Sequence, residues 1–547
     1  MKTTINYLLL FFGLFIIIAL AQSIYNPLYV LKEAKYLGLP YDFRGFIKIF
    51  LYLGGYISAV IALGIILAIK SSRLFFLFLF FLFLFYTMDF FMQLIGTSYG
   101  FSYNELIVAM NEKGNIHNLL NYIDYVIYAI LLSLGLSTIL YMIRKKIYKT
   151  SINSMAILVI FIAFLGTYIP VAVTSSITFK TFPAFTKIPM LYIEYLKDAP
   201  TIKARILDET IKPSKETKYK NIVWIIDESV TGSYLSINGY NKETTPYLKN
   251  LDKETDIISN FGLVNSISNC SAQSNLFLRI GMNPYKTIDF KKEMYDLPTI
   301  FQYAKRAGYT TQLFDSQAAK DHLQNYLTLY DKNHIDHFET LDGDVLPENR
   351  DEIFLKKIKK VLNTKDNNKN FIVIVKFGVH WPYLLSYNKE NSTFVPILNG
   401  TLGGMTLENK EKQVNTYLNA IVHSTDQYLK KLINDIDLEN SVLFYTSDHG
   451  QNILETERKI THCNHDKIVK NEVTVPLFVF HKNAKEIFSR KQKLSYSQIQ
   501  IFPTTLSLMG YNKEIVQQYG KTLWEGFPQD TVRKYFVTSS GRINKYK

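Results

Sequence analysis

Two apolar runs of the sequence each end in side chains that commonly bind metal ions. Asn221–Ile226 is rich in β-branched and aromatic residues and leads into an acidic pair that includes Glu228, and Ser441–Ser447 is followed by Asp448 and His449. Buried parallel strands deliver polar groups at their carboxyl ends, so we expect these side chains to meet at one edge of a sheet. Two carboxylates and an imidazole suit Zn²⁺ and are also compatible with Mn²⁺. The pattern therefore predicts a metal site built from Glu228, Asp448 and His449.

A hydroxyl group that such a metal ion would activate occurs between these two runs. The sequence Asn-Cys-Ser-Ala-Gln-Ser at 269–274 places Ser271 and Ser274 just before an apolar stretch. A serine hydroxyl is a weak nucleophile at neutral pH unless a metal ion or a base removes its proton. Ser271 bound to the metal ion would be activated in this way. The alternative interpretation is that both serines cap a helix.

Further motifs extend this pattern along the chain. In order they are Glu228-Ser229, Asn238-Gly239-Tyr240, Thr244-Thr245-Pro246, Ser271-Ala272-x-Ser274, His380-x-Pro382, Asp448-His449-Gly450, His462 and Val475-Pro476. Together they resemble the membrane-anchored phosphoethanolamine transferases of the alkaline phosphatase and sulfatase superfamily, which include lipid A-modifying enzymes. The resemblance implies a Zn²⁺-dependent phosphotransferase, with Mn²⁺ or Mg²⁺ as the alternative cofactors.

The resemblance also implies roles for individual residues. Relatives usually carry threonine, a small residue, any residue and then serine at the nucleophile. This pattern favours Ser271 over Ser274 as the attacking group and as the fourth metal ligand. The histidines that match His380 and His462 bind the phosphate, a second metal ion or the leaving group. A lysine that matches Lys320 contacts the substrate phosphate.

Two positions near these motifs depart from the pattern or duplicate it. His465 lies three residues after His462 and is an alternative to it. Gln451 follows the Asp-His-Gly run where relatives often carry glutamate. We therefore do not assign an acidic contact with the ethanolamine ammonium to that position.

The reaction that the resemblance implies is transfer of phosphoethanolamine from phosphatidylethanolamine to a cell-surface glycolipid. The acceptor would be lipid A or the lipopolysaccharide or lipooligosaccharide core, and the reaction would pass through a phosphoethanolamine-serine enzyme intermediate. Alternative functions are a phosphoglycerol transferase of the lipoteichoic acid synthase type and a sulfatase-like phosphodiesterase or other hydrolase. The stretch 270–274 lacks the proline and arginine of the C/S-x-P-x-R signature, which argues against a sulfatase. The alternative outside the enzymes is a catalytically inactive membrane scaffold.

The elements that must position these residues alternate after residue 219. Apolar runs typical of strands are separated by runs with helical spacing, which predicts a doubly wound α/β domain at 220–547 of the alkaline-phosphatase-like (sulfatase) type. Helical spacing occurs at Pro298–Arg306 and Val414–Ile433. The predicted strands are Asn221–Ile226, Thr310–Phe314, Phe371–Phe377, Ser441–Thr446 and Leu477–Phe480.

The first third of the chain is much more apolar than the rest, and five of its segments approach the roughly 20 residues that span a bilayer. The segments are Tyr7–Ala21, Ile49–Ile69, Leu74–Ile95, Tyr122–Ile143 and Met155–Thr174. Basic residues between the second and third segments and between the fourth and fifth place both loops in the cytoplasm. We therefore predict a five-helix transmembrane domain at 1–176 in the bacterial inner membrane, an interfacial linker at 177–219 and a periplasmic catalytic domain. Asp89, in the third segment, is expected to serve helix packing.

The formal charge of the chain is +14, from 61 basic and 47 acidic residues without a dense basic block. We interpret this charge as a solvated surface, with attraction to anionic membrane lipid or lipopolysaccharide as the functional alternative. The sequence contains no basic and aromatic recognition module, so nucleic acid is not expected as a partner.

The chain has two cysteines, Cys270 and Cys463, which excludes a disulfide-rich scaffold. They would pair if folding brings their Cα atoms within about 7 Å, and two free thiols fit the sequence equally well. The loops of the soluble domain are therefore expected to be held by packing alone.

Overall fold

The computed structural model describes residues 12–18, 20–21, 56–57, 59–64, 66–67, 71–94, 100–101, 106, 123–147, 182–198, 204–320, 323–342, 344–400, 406–456, 461–464, 468–528, 533–537 and 542–546. The chain divides into two compact units, Met1–Ala199 and Pro200–Lys547.

The first unit is helical in its described parts. Its helices are α1 (Ser72–Leu94), α2 (Ile123–Ile147) and α3 (Ala184–Asp198). Within the described residues, two helical stretches, Ser72–Leu94 and Ile123–Lys145, are long and apolar enough to cross a membrane. They coincide with the third and fourth predicted segments.

The other three predicted segments are described partly or not at all. The described residues of the first two segments, within 12–21 and 56–67, are helical. The fifth segment, Met155–Thr174, lies outside the described residues. The number of five transmembrane helices therefore stays a prediction, as do the boundaries at 176 and 219.

A buried ion pair joins helices α1 and α3. The Asp89 carboxylate pairs with the Lys187 ammonium, and both side chains are fully excluded from solvent. The same carboxylate accepts hydrogen bonds from Gln93 Nε2 at 3.0 Å and from the Phe101 backbone N–H at 2.9 Å. A buried carboxylate is tolerable only when it is paired in this way, so Asp89 has the packing role expected of it.

The second unit is built on a seven-stranded sheet in the order β2-β7-β6-β1-β5-β3-β4. The strands from β6 to β4 in this order are parallel, whereas β7 runs antiparallel to both β6 and β2. The strands are β1 (Asn221–Asp227), β2 (Ile258–Asn265), β3 (Tyr309–Ala319), β4 (His337–Leu341), β5 (Lys369–Val375), β6 (Ser441–Ser447) and β7 (Thr474–Phe480). Two small sheets pair β8 (Leu494–Ser495) with β9 (Phe527–Pro528), and β10 (Arg533–Val537) with β11 (Arg542–Tyr546).

Helices flank this sheet. They are α4 (Pro246–Glu254), α5 (Ser271–Ile280), α6 (Phe290–Asp296), α7 (Ile300–Arg306), α8 (Leu329–Lys332), α9 (Pro347–Leu362), α10 (Lys410–Ala420), α11 (Tyr428–Ile433), α12 (Ala484–Ile487), α13 (Ile501–Leu508) and α14 (Lys513–Tyr519). Ile421–Gln427 forms a π-helical turn between α10 and α11. The Trp224 ring of β1 packs edge-on against Phe371 of β5 and Phe502 of α13, so the central strands and one helix share a core.

The predicted α/β domain is confirmed, and each of the five predicted strands falls on an observed one. Two strands of the seven-stranded sheet, β2 and β4, are missing from the prediction, as are the strands β8 to β11 of the two small sheets. The described pairing of β2 is interrupted by a bulge between Asn260 and Leu263, and β4 is a half-buried edge strand. Neither shows the continuous apolar run by which a buried strand is recognised.

Candidate active site

Three buried side chains converge at the carboxyl edge of the sheet. Glu228, Asp448 and His449 each offer one ligand atom, and these atoms lie within 4.8 Å of one another. His449 Nε2 is 3.6 Å from Glu228 Oε1 and 3.5 Å from Asp448 Oδ2. In the part of the chain that the structure describes, this is the only group of three or more such residues that is this compact.

The sheet register brings the three residues together. Strands β1 and β6 are adjacent and parallel, with Asp227 opposite Ser447, so the residues after each strand leave the sheet side by side. The Asp448 backbone N–H then donates to the Asp227 carbonyl at 2.9 Å. The convergence is thus a direct result of the parallel pairing that the sequence predicts.

Backbone contacts fix the orientation of two of these side chains. Asp448 Oδ1 accepts hydrogen bonds from the backbone N–H groups of Ser229 at 3.0 Å and His449 at 2.7 Å. His449 Nδ1 lies 2.7 Å from the Gly450 carbonyl oxygen, so Nδ1–H donates to that oxygen and Nε2 is the ring nitrogen left to bind a ligand. Both side chains are therefore held with one ligand atom directed toward the centre of the group.

This arrangement fits a divalent cation. Asp448 Oδ2 is buried and has no hydrogen-bond partner among the described residues. Burial and the adjacent Glu228 carboxylate raise the pKa of Asp448 to about 8. A positive ion between the carboxylates would give Asp448 Oδ2 the partner that it lacks. It would also offset the repulsion between Asp448 and Glu228 and so lower the pKa of Asp448. Two carboxylates, one imidazole and the nearby Ser271 hydroxyl form a donor set suited to Zn²⁺.

Ser271 begins helix α5 and lies beside Glu228, Asp448 and His449, the candidate metal-binding group. Its Oγ is 2.8 Å from His449 Nε2 and 3.5 Å from Glu228 Oε1. The amino end of a helix carries partial positive charge, which favours an anionic oxygen at this position. Ser274, by contrast, donates its hydroxyl to the Ser268 carbonyl at 3.1 Å and is fully buried. The structure thus brings Ser271 to the group, whereas the Ser274 hydroxyl is engaged with the backbone.

Glu228 is held by a residue that the sequence analysis does not identify. Gln317, near the end of β3, donates its amide N–H groups to Glu228 Oε2 at 2.9 Å and to the Lys376 carbonyl at 2.8 Å. This glutamine bridges the segments that follow β1 and β5. Its amide carries no chemical signature in the sequence, and only its place three residues before Lys320 points toward the site.

A second set of buried groups, centred on Asp227, lies beside Glu228. Asp227 Oδ1 accepts the Glu228 backbone N–H at 3.0 Å, and its Oδ2 accepts from Lys376 Nζ at 2.7 Å. The hydroxyls of Thr425 and Tyr445 also donate to Oδ2, at 3.0 Å and 2.8 Å. Asp227 therefore holds the backbone of Glu228 without joining the metal-binding group.

Two of the predicted histidines approach the same edge. The His462 ring stacks on His449 with 4.2 Å between ring centroids. Burial and the neighbouring His449 and His380 hold the pKa of His462 well below its usual value, so this imidazole is neutral at pH 7. His380 follows β5, and its ring packs against Phe377 at 5.4 Å. The alternative to His462, His465, lies outside the described residues.

Lys320 occupies a different environment. Its side chain is 66% exposed, and its ammonium lies 3.2 Å from Asp342 Oδ1. It has no hydrogen bond to the metal-binding group in the described structure. Its contact with a substrate phosphate stays a prediction.

Cys270 and Cys463 form a disulfide, with their Cα atoms 4.7 Å apart. The expectation that the loops are held by packing alone is therefore wrong. The pairing was not predictable because the two residues are separated by 193 positions, and only the folded chain brings them together. The bond joins the residue before Ser271 to the residue after His462, so it ties the start of α5 to the segment that carries His462.

Comparison with known proteins places this site in context. The sulfatase family model matches residues 220–511. The chain is 23% identical over 311 residues to a Kdo(2)-lipid A phosphoethanolamine 7''-transferase of Escherichia coli K12, covering 53% of this chain and 51% of that protein. It is 24% identical over 314 residues to the phosphatidylethanolamine transferase Mcr-2 of Escherichia coli, covering 55% and 56%. The chain thus spans about half the length of these curated relatives.

Solved structures show the same fold. The lipooligosaccharide phosphoethanolamine transferase A of Neisseria meningitidis superposes with a TM-score of 0.61 at 19% identity, covering 93% of this chain and 97% of that one. The periplasmic domain of EptC from Escherichia coli, solved as a zinc complex, superposes with a TM-score of 0.51 at 21% identity, covering 62% of this chain and 96% of that one. At these identities the likeness establishes the fold alone.

Proposed function

Because the chain belongs to the sulfatase family, we propose that it is a membrane-anchored phosphotransferase that moves phosphoethanolamine from phosphatidylethanolamine to a cell-surface glycolipid. The acceptor would be lipid A or the core of lipopolysaccharide or lipooligosaccharide. The names of the curated relatives, which are phosphoethanolamine and phosphatidylethanolamine transferases, support this choice within the family.

The observation that carries the proposal is the position of Ser271. Ser271 is the first residue of helix α5. Its hydroxyl lies 2.8 Å from His449 Nε2 and 3.5 Å from the buried carboxylate of Glu228. Glu228, Ser271, Asp448 and His449 would hold Zn²⁺, with Mn²⁺ or Mg²⁺ as alternatives. When bound, the ion would lower the pKa of the serine hydroxyl and offset negative charge on the phosphate oxygens.

The reaction would proceed in two displacements. In the first, Ser271 Oγ gives up its proton to water and forms a bond to phosphorus, the bond from phosphorus to the diacylglycerol oxygen breaks, and the leaving oxygen takes up a proton. His380 or His462 would supply that proton. In the second, an acceptor hydroxyl or phosphate oxygen displaces Ser271. His462 would then accept the proton of an attacking hydroxyl.

The proposed location is the bacterial inner membrane, with the second unit in the periplasm. Two observations support it. Among its described residues, the first unit contains two helices long and apolar enough to cross a membrane. The second unit contains a disulfide, and disulfides persist in oxidising compartments such as the periplasm.

Mass spectrometry of surface glycolipid tests the proposal directly. Cells that express the chain should contain a glycolipid species heavier by one phosphoethanolamine group, and cells that express Ser271→Ala at the same level should lack it. A phosphoglycerol adduct would instead support the phosphoglycerol transferase. Release of diacylglycerol without any adduct would support a hydrolase, and no Ser271-dependent product would support a scaffold.

A further inference from the structure

A cavity of about 200 Å³ lies in the second unit, apart from the metal-binding group. The first turn of α9, the segment after β5 and the π-helical turn at 421–427 enclose it. The proposed reaction assigns no role to it.

The wall of the cavity is acidic. Glu348, Asp351 and Glu352 line it, and Lys431 is the one lining residue with a positive charge. Lys431 Nζ is already 2.7 Å from Glu352 Oε2, and Asp351 lies 3.7 Å from the buried Lys376 ammonium and accepts the backbone N–H groups of Phe377 and Gly378. Glu348 is exposed and has no ion-pair or hydrogen-bond partner among the described residues. The unpaired Glu348 carboxylate favours a cationic ligand.

The same wall is also aromatic. Phe377, Tyr387 and Tyr428 line the cavity, and the His423 ring stacks on Tyr387 with 5.4 Å between centroids and 6° between planes. Aromatic faces attract organic cations through the ring quadrupole. The three carboxylates do not form a compact metal-binding group, since in the described chain only the cluster around Glu228 meets that requirement. Carboxylates spread among aromatic rings therefore suit an organic ammonium rather than a metal ion.

Two buried hydroxyls in the wall lack partners. Ser386 Oγ and the Tyr428 hydroxyl accept and donate no hydrogen bonds within the described structure, although the residues are 6% and 5% exposed. Both residues line the cavity. Buried hydroxyls are nearly always hydrogen-bonded, so a polar group of a ligand is the partner that these two lack.

The cavity shares a segment of chain with the active site. Phe377 and Gly378 line the cavity, whereas the next backbone N–H, of Val379, donates to the Glu228 carbonyl at 3.1 Å. Gly378 has a φ of +56°, and a Cβ at this position would lie 2.1 Å from Asp227 Oδ1. A single layer of backbone thus separates the cavity from the residues that hold Glu228.

We propose that this cavity is a binding site for a primary ammonium group carried on a short hydroxylated molecule. Glu348 and the rings of Phe377 and Tyr387 bind the ammonium, and the hydroxyls of Ser386 and Tyr428 bind the hydroxyl or ester oxygen. Both an ethanolamine headgroup and an amino sugar carry this chemistry. The inference concerns binding alone, so it stands or fails separately from transfer by Ser271.

Calorimetric titration of the full-length, zinc-loaded protein in detergent tests the site with matched probes. Ethanolamine is compared with ethylene glycol, which replaces the ammonium by a hydroxyl, and glucosamine is compared with glucose. We expect at least one amine to bind saturably and its neutral counterpart to bind at least tenfold more weakly. Binding of ethanolamine identifies a headgroup site, and binding of glucosamine alone identifies an amino sugar site.

Variants locate the binding. Glu348→Gln should weaken amine binding about tenfold, the effect of about 1.4 kcal/mol of lost charge attraction. Tyr428→Phe should weaken it several-fold without unfolding the protein, because the hydroxyl it removes has no partner in the described chain. Glu486→Gln, at an exposed position outside the cavity wall, is the matched control and should have no effect. Ser271→Ala should bind the amine as the wild type does, although it transfers nothing.

Three results would overturn the inference. They are no saturable binding of either amine, equal binding of an amine and its neutral counterpart, and a Glu348→Gln affinity equal to that of Glu486→Gln.

Discussion

Lys376 Nζ lies 2.7 Å from Asp227 Oδ2, and both side chains are fully excluded from solvent. The ammonium also contacts the Ser424 carbonyl in the π-helical turn and lies 4.4 Å from the centre of the Tyr428 ring. This pair joins β1, the strand that leads into Glu228, to the segment that follows β5. It also contacts helix α11, which borders the cavity lined by Glu348 and Tyr428. Its contribution to stability is therefore coupled to the geometry of the metal-binding group.

Removal of the Lys376 ammonium should be strongly destabilising. Lys376→Met leaves Asp227 buried without its counter-charge, which typically costs about 3–5 kcal/mol of the free energy of unfolding. The three tryptophans of the chain, Trp224, Trp381 and Trp524, all lie in the second unit, so denaturant unfolding followed by tryptophan fluorescence reports on that unit. Lys249→Met is the control, because the pair of Lys249 with Glu243 is about half exposed and contributes at most about 1 kcal/mol. Equal losses in the two variants would contradict the prediction.

The two candidate nucleophiles should behave differently on substitution. Ser271→Ala should lower the turnover number by about a thousandfold or more, because the attacking oxygen is removed. Ser274→Ala should keep most of the activity and lose about 0.5–1.5 kcal/mol of stability, since it removes the hydrogen bond to the Ser268 carbonyl. Turnover of a fluorescent phosphatidylethanolamine and thermal unfolding of both variants measure these effects. An inactive, stable Ser274→Ala beside an active Ser271→Ala would reverse the assignment.

Binding of the metal ion should release protons. Without the ion, the pKa of Asp448 is about 8, so this carboxyl is mostly protonated at pH 7 and must lose its proton to become a ligand. Zinc titration of Ser271→Ala in two buffers of different ionisation enthalpy should show release of about one proton at pH 7. The serine is removed so that its own proton does not contribute. Release should decline as the pH rises above about 8, and release that does not change with pH would count against this role of Asp448.

Stability should fall as the pH rises from about 4.5 to about 7 because of Glu472. This side chain is buried, accepts the Asn464 amide N–H at 2.8 Å, and has its pKa raised to about 7 by burial. The folded pKa exceeds the usual value of 4.5, so the folded protein binds the proton more tightly than the unfolded chain. Glu472 therefore adds about 3 kcal/mol to the free energy of unfolding below about pH 4.5, and this contribution is lost by about pH 7.

Substitution by glutamine isolates this contribution. Glu472→Gln imitates the protonated form at every pH, so its melting temperature relative to the wild type should increase by several degrees between pH 5 and pH 8. Asp208→Asn is the control, since this carboxyl is at the surface and its pKa is shifted down rather than up. A constant difference between Glu472→Gln and the wild type would show that Glu472 is ionised throughout.

Loss of the disulfide should affect both stability and the site. The double variant Cys270→Ser, Cys463→Ser should lose about 2–5 kcal/mol of the free energy of unfolding, because a long loop of the unfolded chain is no longer closed. Turnover should fall with it, since His462 is no longer tied to the start of α5. Peptide mapping under non-reducing conditions should recover the two cysteines in one linked peptide from the wild type. Separate free-thiol peptides would contradict the pairing.

The sequence predicts the parts of this protein that depend on local pattern. Strands β1 and β6 were recognisable from their apolar runs, and the parallel sheet edge followed from them, so the meeting of Glu228, Asp448 and His449 could be anticipated. Asp89 was recognisable because a carboxylate in an apolar segment requires a partner. The partner itself, Lys187, is not indicated by any local pattern.

Features that depend on long-range contacts were not predictable from one sequence. Gln317 contacts Glu228, and Lys376 pairs with Asp227. Each contact joins segments that are far apart in the sequence, and no periodic pattern of residues relates them. The cavity lined by Glu348 and Tyr428 depends on how three separate elements pack. Residue types alone predict which groups can do chemistry, whereas the groups that orient them emerge only from the fold.

The covalent bond between Cys270 and Cys463 also has a consequence for how the protein matures. Ser271 and His462 are made at different times during synthesis, and the later cysteine must emerge before the earlier one can be joined to it. Thiols stay reduced in the bacterial cytosol, so a chain retained there would lack this link. Catalytic competence would then be acquired only after export and oxidation, which would keep the newly made chain inactive on the side of the membrane where it is synthesised.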